Sequence, residues 1–142
     1  MTETPENQKP EDLNYQAGQF FRYRIPNSKP DDRGENRFFT NSAAPFENKI
    51  QISTRIENEK PSTFKKDLSN LNPGDTIEAV GPKGDFILNP NSKFVLIAGG
   101  IGITPFHSSL LQLAHEGEAL GGILIYANRN SDIVFENELK KL

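Results

Sequence analysis

The sequence predicts an antiparallel β region followed by a βαβα region, so that the second part begins a parallel α/β domain. Three observations carry this prediction. Between Tyr15 and Leu88, short β-rich runs are separated by turns. Around Asn89–Lys93 the hydrophobic period changes, and longer apolar runs begin to alternate with a helical pattern. The first of those runs, Phe94–Ala98, ends in a glycine turn that opens directly into an amphipathic helix.

The elements follow in order. Residues 1–14 are polar and proline-containing, and read as a disordered tail. Gln19–Ile25 and Arg37–Ser42 are strands, separated by the loop Pro26–Asn36 with its Pro, Asn, Asp and Gly. In Ile50–Ile56 the side chains of Ile50, Ile52, Thr54 and Ile56 share one face of a strand. Ser62–Leu71 is a short helix capped by Ser62 or Thr63, buried through Phe64, Leu68 and Leu71, and stopped by Pro73-Gly74. Asp75–Val80 and Asp85–Leu88 are strands joined by a Gly81–Gly84 turn. Phe94–Ala98 is a continuous apolar strand of the kind buried in a parallel sheet. Thr104–Glu116 is a helix with Phe106, Leu110, Leu113 and Ala114 inward, ended by Gly117. Gly122–Tyr126 is a second buried strand, and Ser131–Leu142 begins a second helix.

Composition narrows the chemistry. The net charge of −3 disfavours a nucleic-acid partner. No apolar stretch approaches the roughly 20 residues that span a bilayer, so no membrane segment is expected. The N-terminus does not resemble a signal peptide, and a cytoplasmic location is expected. With no cysteine, the chain offers no thiolate nucleophile and no cysteine-ligated cluster. His107 and His115 lack an accompanying carboxylate cluster, so they read as surface or packing residues and no metal site is expected.

Three constellations bear on ligands. In the turn Gly99-Gly100-Ile101-Gly102-Ile103-Thr104-Pro105 the glycines let backbone approach a diphosphate, and free N–H groups at the helix start point at it. Thr104 is placed as its N-cap and Pro105 as the first helical residue. In Arg37-Phe-Phe-Thr40, Arg37 suits a phosphate, Phe39 on the same face offers a flat platform for a ring, and Thr40 adds a hydroxyl donor. By itself that stretch better suits an ordinary edge strand with an exposed arginine. The helix start at Lys60-Pro-Ser-Thr-Phe64 presents orphan N–H groups to a second anion, or is a plain capped helix.

Taken in order, Ala17-Gly-Gln-Phe20, Arg37–Thr40, the Gly81-Pro-Lys-Gly-Asp-Phe86 turn and Gly99–Pro105 resemble the ferredoxin–NADP⁺ reductase-like superfamily. The resemblance extends to Phe135-Glu-Asn-Glu-Leu139, most of the chain. It implies an antiparallel flavin-binding β-barrel over residues 15–91, after a tail at 1–14, and the start of a Rossmann-like parallel α/β nucleotide-binding domain over 92–142. It implies FAD and NAD(P)H as cofactors. Arg37 would contact the flavin diphosphate, Phe39 would lie against the isoalloxazine, and Thr40 would hydrogen-bond near N5 as the catalytic contact. Thr54 and Arg55 would line the flavin's nucleotide portion, and Ser62 and Thr63 would add helix N–H groups to its diphosphate. Gly99, Gly100, Gly102 and Thr104 would hold the NAD(P)H diphosphate, with Asn128 and Arg129 at the adenosine end. Arg129 is compatible with a 2′-phosphate and no acidic residue closes the second strand, which favours NADPH. FMN in place of FAD stays open.

Members of that superfamily have two further strands ahead of the Ala-Gly-Gln start and continue beyond the Phe-x-x-Glu-Leu helix. The sequence therefore reads as incomplete at both ends, with an open barrel edge at Gln19–Ile25. The expected function is a flavin-dependent oxidoreductase module that takes hydride from NAD(P)H to FAD and passes electrons to an unidentified acceptor. The alternative is a truncated, non-catalytic flavin- or nucleotide-binding module that needs a partner chain.

Overall fold

A computed structural model of the chain describes residues 2–3, 6–26, 28–56 and 60–142. Its strands in order are β1 (Thr2–Glu3), β2 (Glu6–Gln8), β3 (Phe20–Arg24), β4 (Asn36–Thr40), β5 (Lys49–Gln51), β6 (Thr54–Arg55), β7 (Glu78–Lys83), β8 (Phe94–Gly99) and β9 (Gly122–Ala127). The helices are α1 (Thr63–Ser69), α2 (Thr104–His115) and α3 (Glu136–Leu139), with 3₁₀ turns at Pro45–Glu47 and Gly100–Ile103.

β3 is the centre of the first region. It pairs antiparallel with β4 from Phe20↔Thr40 to Arg24↔Asn36, and on its other side with β7. Alternation then decides burial. Phe21 and Tyr23 point into the core, while Phe20, Arg22 and Arg24 do not. α1 closes that core with Phe64 and Leu68, and Tyr15, Ile25 and Ile52 complete it. Burying a ring such as Phe64 contributes about 2–3 kcal/mol. The Ser62 Oγ accepts from the Lys65 N–H at 3.3 Å, so the predicted cap holds.

Several expectations change here. The stretch read as a disordered tail contributes β1, paired with β6, and β2, paired with β5. Polar side chains do not prevent main-chain pairing, because each residue brings its own N–H and C=O whatever its side chain. Met1, Thr4 and Pro5 of that stretch lie outside the described residues. The expected open edge at Gln19–Ile25 is also wrong, since β3 is flanked on both sides. Of Asp75–Val80 only Glu78 onward is strand, and β7 continues through the Gly81-Pro82 pair expected in a turn. Asp85–Leu88 forms no strand. Ile50–Ile56 is broken into β5 and β6, and its predicted alternation fails because Gln51 and Ser53 are buried too. Ser42 makes that possible: its Oγ donates to the Gln51 carbonyl at 2.9 Å and lies 2.8 Å from the Ser53 Oγ.

In the second region β8 and β9 are parallel and in register from Phe94↔Gly122 to Gly99↔Ala127. Leu96 and Ala98 are buried, but Val95, Ile97, Ile123 and Ile125 are 52–71% exposed on the other face. The two strands expected to be buried on both faces are thus covered on one. Helix α2 buries Leu110 and Leu113 as expected, together with His107, Ser108 and Ser109, whereas Ala114 is exposed. The polar residues face the loop after β4. Ser108 Oγ donates to the Ala43 carbonyl at 2.8 Å, and His107 Nδ1 lies 2.8 Å from the Ser42 carbonyl. The last predicted helix, Ser131–Leu142, shortens to α3. Phe135 precedes it in a left-handed conformation (φ 62°), and its ring stacks on His107 at 3.7 Å.

Candidate functional site

The ligand-directed residues gather in two places. The first is the end of the β4 strand beside α1. Arg37 is held tightly, with Nη1 donating to the carbonyls of Arg33, Gly34 and Asn36 at 3.0, 2.7 and 2.8 Å. Its Nη2 donates to Asp31 Oδ1 at 3.1 Å, and the guanidinium lies 5.7 Å from the centre of the Phe64 ring. Thr63 N–H donates to Asp31 Oδ2 at 3.0 Å, and Thr63 Oγ1 accepts from the Asp31 N–H at 3.2 Å. These contacts hold the Asp31 carboxyl below its ordinary pKa, the Thr63 backbone bond being the largest cause. Ser62 is buried and spends its hydroxyl on the cap.

Phe39 does not form an open platform. It is half-buried, with its ring 6.1 Å from Tyr23 and 5.9 Å from Phe64. The exposed aromatic is Phe38, which meets Phe20 edge-on at 5.9 Å. Thr40 lies on that outer side and lines a shallow depression with Phe20 and Phe38. Strand alternation explains the division: Arg37 and Phe39 face one way, Phe38 and Thr40 the other.

The second place is the turn after β8. Gly100 has φ +52°, a conformation that disfavours any side chain. A methyl group added to Gly99 or Gly102 would meet nothing within 4 Å, so open space lies before both residues. One added to Gly100 would lie 3.4 Å from an Arg55 Nη. The Arg55 guanidinium makes no hydrogen bond or ion pair among the described residues, while its carbonyl accepts from Lys65 Nζ at 2.5 Å. Thr104 is not the N-cap: a 3₁₀ turn precedes the helix, and Thr104 is its first residue, buried.

At the end of β9 the Tyr126 hydroxyl and the polar atoms of the Asn128 amide are buried beside one another. Burial raises the Tyr126 pKa, and the Asn128 side chain, followed by the nearby Arg55 charge, opposes that shift. Arg129 is exposed, and Thr54 is closed inside the first region. The predicted residues are therefore brought together as Arg37, Ser62 and Thr63 in one place, and as Gly99, Gly100, Gly102, Arg55 and Asn128 in the other. Sequence reasoning missed Asp31, Phe38, Phe20 and Tyr126. For Phe38 the signal was present as an aromatic beside the motif; for Asp31 there was none, since its partners lie 6 and 32 residues away.

A β region with an arginine-bearing strand is thus joined to a parallel pair that ends in an open glycine turn. No protein-family model matches the chain. The flavohemoprotein of Candida albicans is 32% identical over 122 residues, covering 82% of this chain and 29% of that protein. Ferredoxin–NADP reductase B of Sorangium cellulosum is 31% identical over 132 residues, covering 90% of this chain and 52% of that protein. Among solved structures, phthalate dioxygenase reductase aligns with TM-score 0.76 and 25% identity, over 98% of this chain and 43% of that one. The ferredoxin–NADP⁺ reductase from Plasmodium falciparum aligns with TM-score 0.82 and 22% identity, over 99% of this chain and 57% of that one, and shows the shared fold. The chain is similar over most of its length to proteins of the ferredoxin–NADP⁺ reductase-like superfamily. It spans about a third to a half of the length of these curated relatives.

Proposed function

We propose that this chain is the flavin- and nicotinamide-nucleotide-binding part of an FAD-dependent NAD(P)H oxidoreductase, with a barrel domain at 15–91 and a nucleotide domain from 92 onward. When bound, the flavin supplies hydride acceptance at N5 and onward electron transfer. The protein supplies position and charge. Arg37, with Ser62 and Thr63 beside it, holds the flavin's phosphate end. Thr40 hydrogen-bonds near N5 from the outer face of β4, and Phe38 and Phe39 line the two sides of that strand. Gly99, Gly100 and Gly102, with Thr104 at the start of α2, receive the nicotinamide-nucleotide diphosphate, and Asn128 and Arg129 meet its adenosine end. A 2′-phosphate, and hence NADPH, suits the exposed Arg129 guanidinium. The acceptor is not identified.

One observation carries this reading. Arg55 leaves β6 in the first region and ends at the Gly100 turn of the second, so a barrel side chain presents a positive charge where a diphosphate would lie. Open space before Gly99 and Gly102 and an arginine in each place support this reading. Addition of FAD followed by anaerobic NADPH tests the proposal: the chain should retain yellow flavin and lose its colour on reduction. A chain that retains no flavin would sink it. The exposed face of Val95, Ile97, Ile123 and Ile125 favours a second reading, a non-catalytic binding module that relies on a partner chain. Flavin that is retained but never reduced would favour that reading.

A further inference from the structure

Arg37 is the cation that the flavin reading assigns to a phosphate in the first region, yet a carboxylate already occupies it. Asp31 Oδ1 accepts from Arg37 Nη2 at 3.1 Å and from the Arg33 N–H at 3.0 Å, while Oδ2 accepts from the Thr63 N–H at 3.0 Å. Both side chains are shielded, Arg37 at 17% and Asp31 at 19% exposure. A carboxylate and a phosphate offer a guanidinium the same pair of acceptor oxygens, so the two compete for one set of donors. The loop that carries Asp31 is tied to the same cation, because Arg37 Nη1 also binds the carbonyls of Arg33, Gly34 and Asn36. At its front the loop is anchored by the Ser28 hydroxyl on Asp67 of α1.

We propose that Asp31 is an internal rival for phosphate at Arg37, so that a phosphate-bearing ligand binds only by displacing this carboxylate. The inference rests on the flavin reading above and adds a residue to it. Asp31 holds the strand end in order while the site is empty and sets the threshold for filling it. Its effect is specific to the ligand's phosphate. A flavin without phosphate does not compete for Arg37 and does not feel Asp31.

The experiment compares the full chain with its Asp31→Asn and Asp31→Ala variants by flavin fluorescence titration, using riboflavin, FMN and FAD. Both variants should bind FMN and FAD roughly ten-fold tighter, the scale of one charge-assisted hydrogen bond, with riboflavin affinity unchanged. Inorganic pyrophosphate should also raise the thermal midpoint of Asp31→Asn more than that of the unmodified chain. Unchanged or weaker FMN and FAD binding in both variants would overturn the rivalry and make Asp31 a structural support for the loop. An equal gain for riboflavin would overturn it as well, because the site would then have opened without regard to phosphate. Both results leave the flavin reading standing. No binding of any flavin by any of the three proteins would overturn the reading and the inference together.

Discussion

Arg55 does at the residue scale what no single motif does. Its backbone belongs to β6, its carbonyl holds Lys65 Nζ, and its guanidinium reaches the Gly100 turn. The resemblance placed it near the flavin; its position instead favours the nicotinamide nucleotide. An Arg55→Gln variant should therefore raise the KM for NADPH roughly ten-fold or more, since hydrogen bonds to a charged group contribute about 1.5–3 kcal/mol. Flavin content should stay unchanged, and steady-state kinetics beside the flavin absorbance checks both parts. A parallel loss of flavin would return Arg55 to the first site. Arg37 and the glycines were legible in the sequence because short motifs fix their spacing. Arg55's reach was not, because 45 residues and a change of domain separate it from Gly100 and only packing brings them together.

At the element scale, the helix α2 shows how a correct helix can have an unexpected face. Its periodicity gave Leu110 and Leu113 correctly. It missed that the helix docks on backbone carbonyls of Ser42 and Ala43, which want donors, so His107 and Ser108 are buried with them. His107 also places Nε2 2.7 Å from Glu138 of α3 and stacks on Phe135, so one ring joins the barrel loop, α2 and the C-terminal helix. Replacing His107 with Leu should cost about 1–3 kcal/mol by stranding the Ser42 acceptor in a dry contact. Urea unfolding followed by circular dichroism measures it, and a change within experimental error would show that Ser108 holds the junction without His107. Strand β3 gives the complementary lesson. Its existence and inward residues were readable from alternation, but its central position depends on β7 running on through Gly81 and Pro82, which a turn signal concealed.

At the scale of the whole molecule, the core sets a pH limit. Burial raises the hydroxyl pKa of Tyr15 and Tyr23 above the ordinary 10.0, with Glu47 adding to the first and Tyr15 to the second. A raised value in the folded state means that the folded chain keeps protons the unfolded chain releases. Stability is therefore undiminished below pH 10.0 and falls as pH rises beyond it. Thermal midpoints measured from pH 8 to 11 should show that decline, and a Tyr23→Phe variant should lessen it. A midpoint flat to pH 11 would contradict the burial of these rings.

The sequence by itself determined the two-part organisation, the arginine strand, the capped α1 and the glycine turn. Each of these is set by residues a few positions apart, where turn chemistry and side-chain periodicity act locally. Tertiary structure alone decided that the polar N-terminal stretch pairs as strands, that Asp31 sits on Arg37, and that Arg55 faces Gly100. Those outcomes depend on backbone pairing and on charges meeting across the fold, neither of which leaves a period or a spacing in the chain.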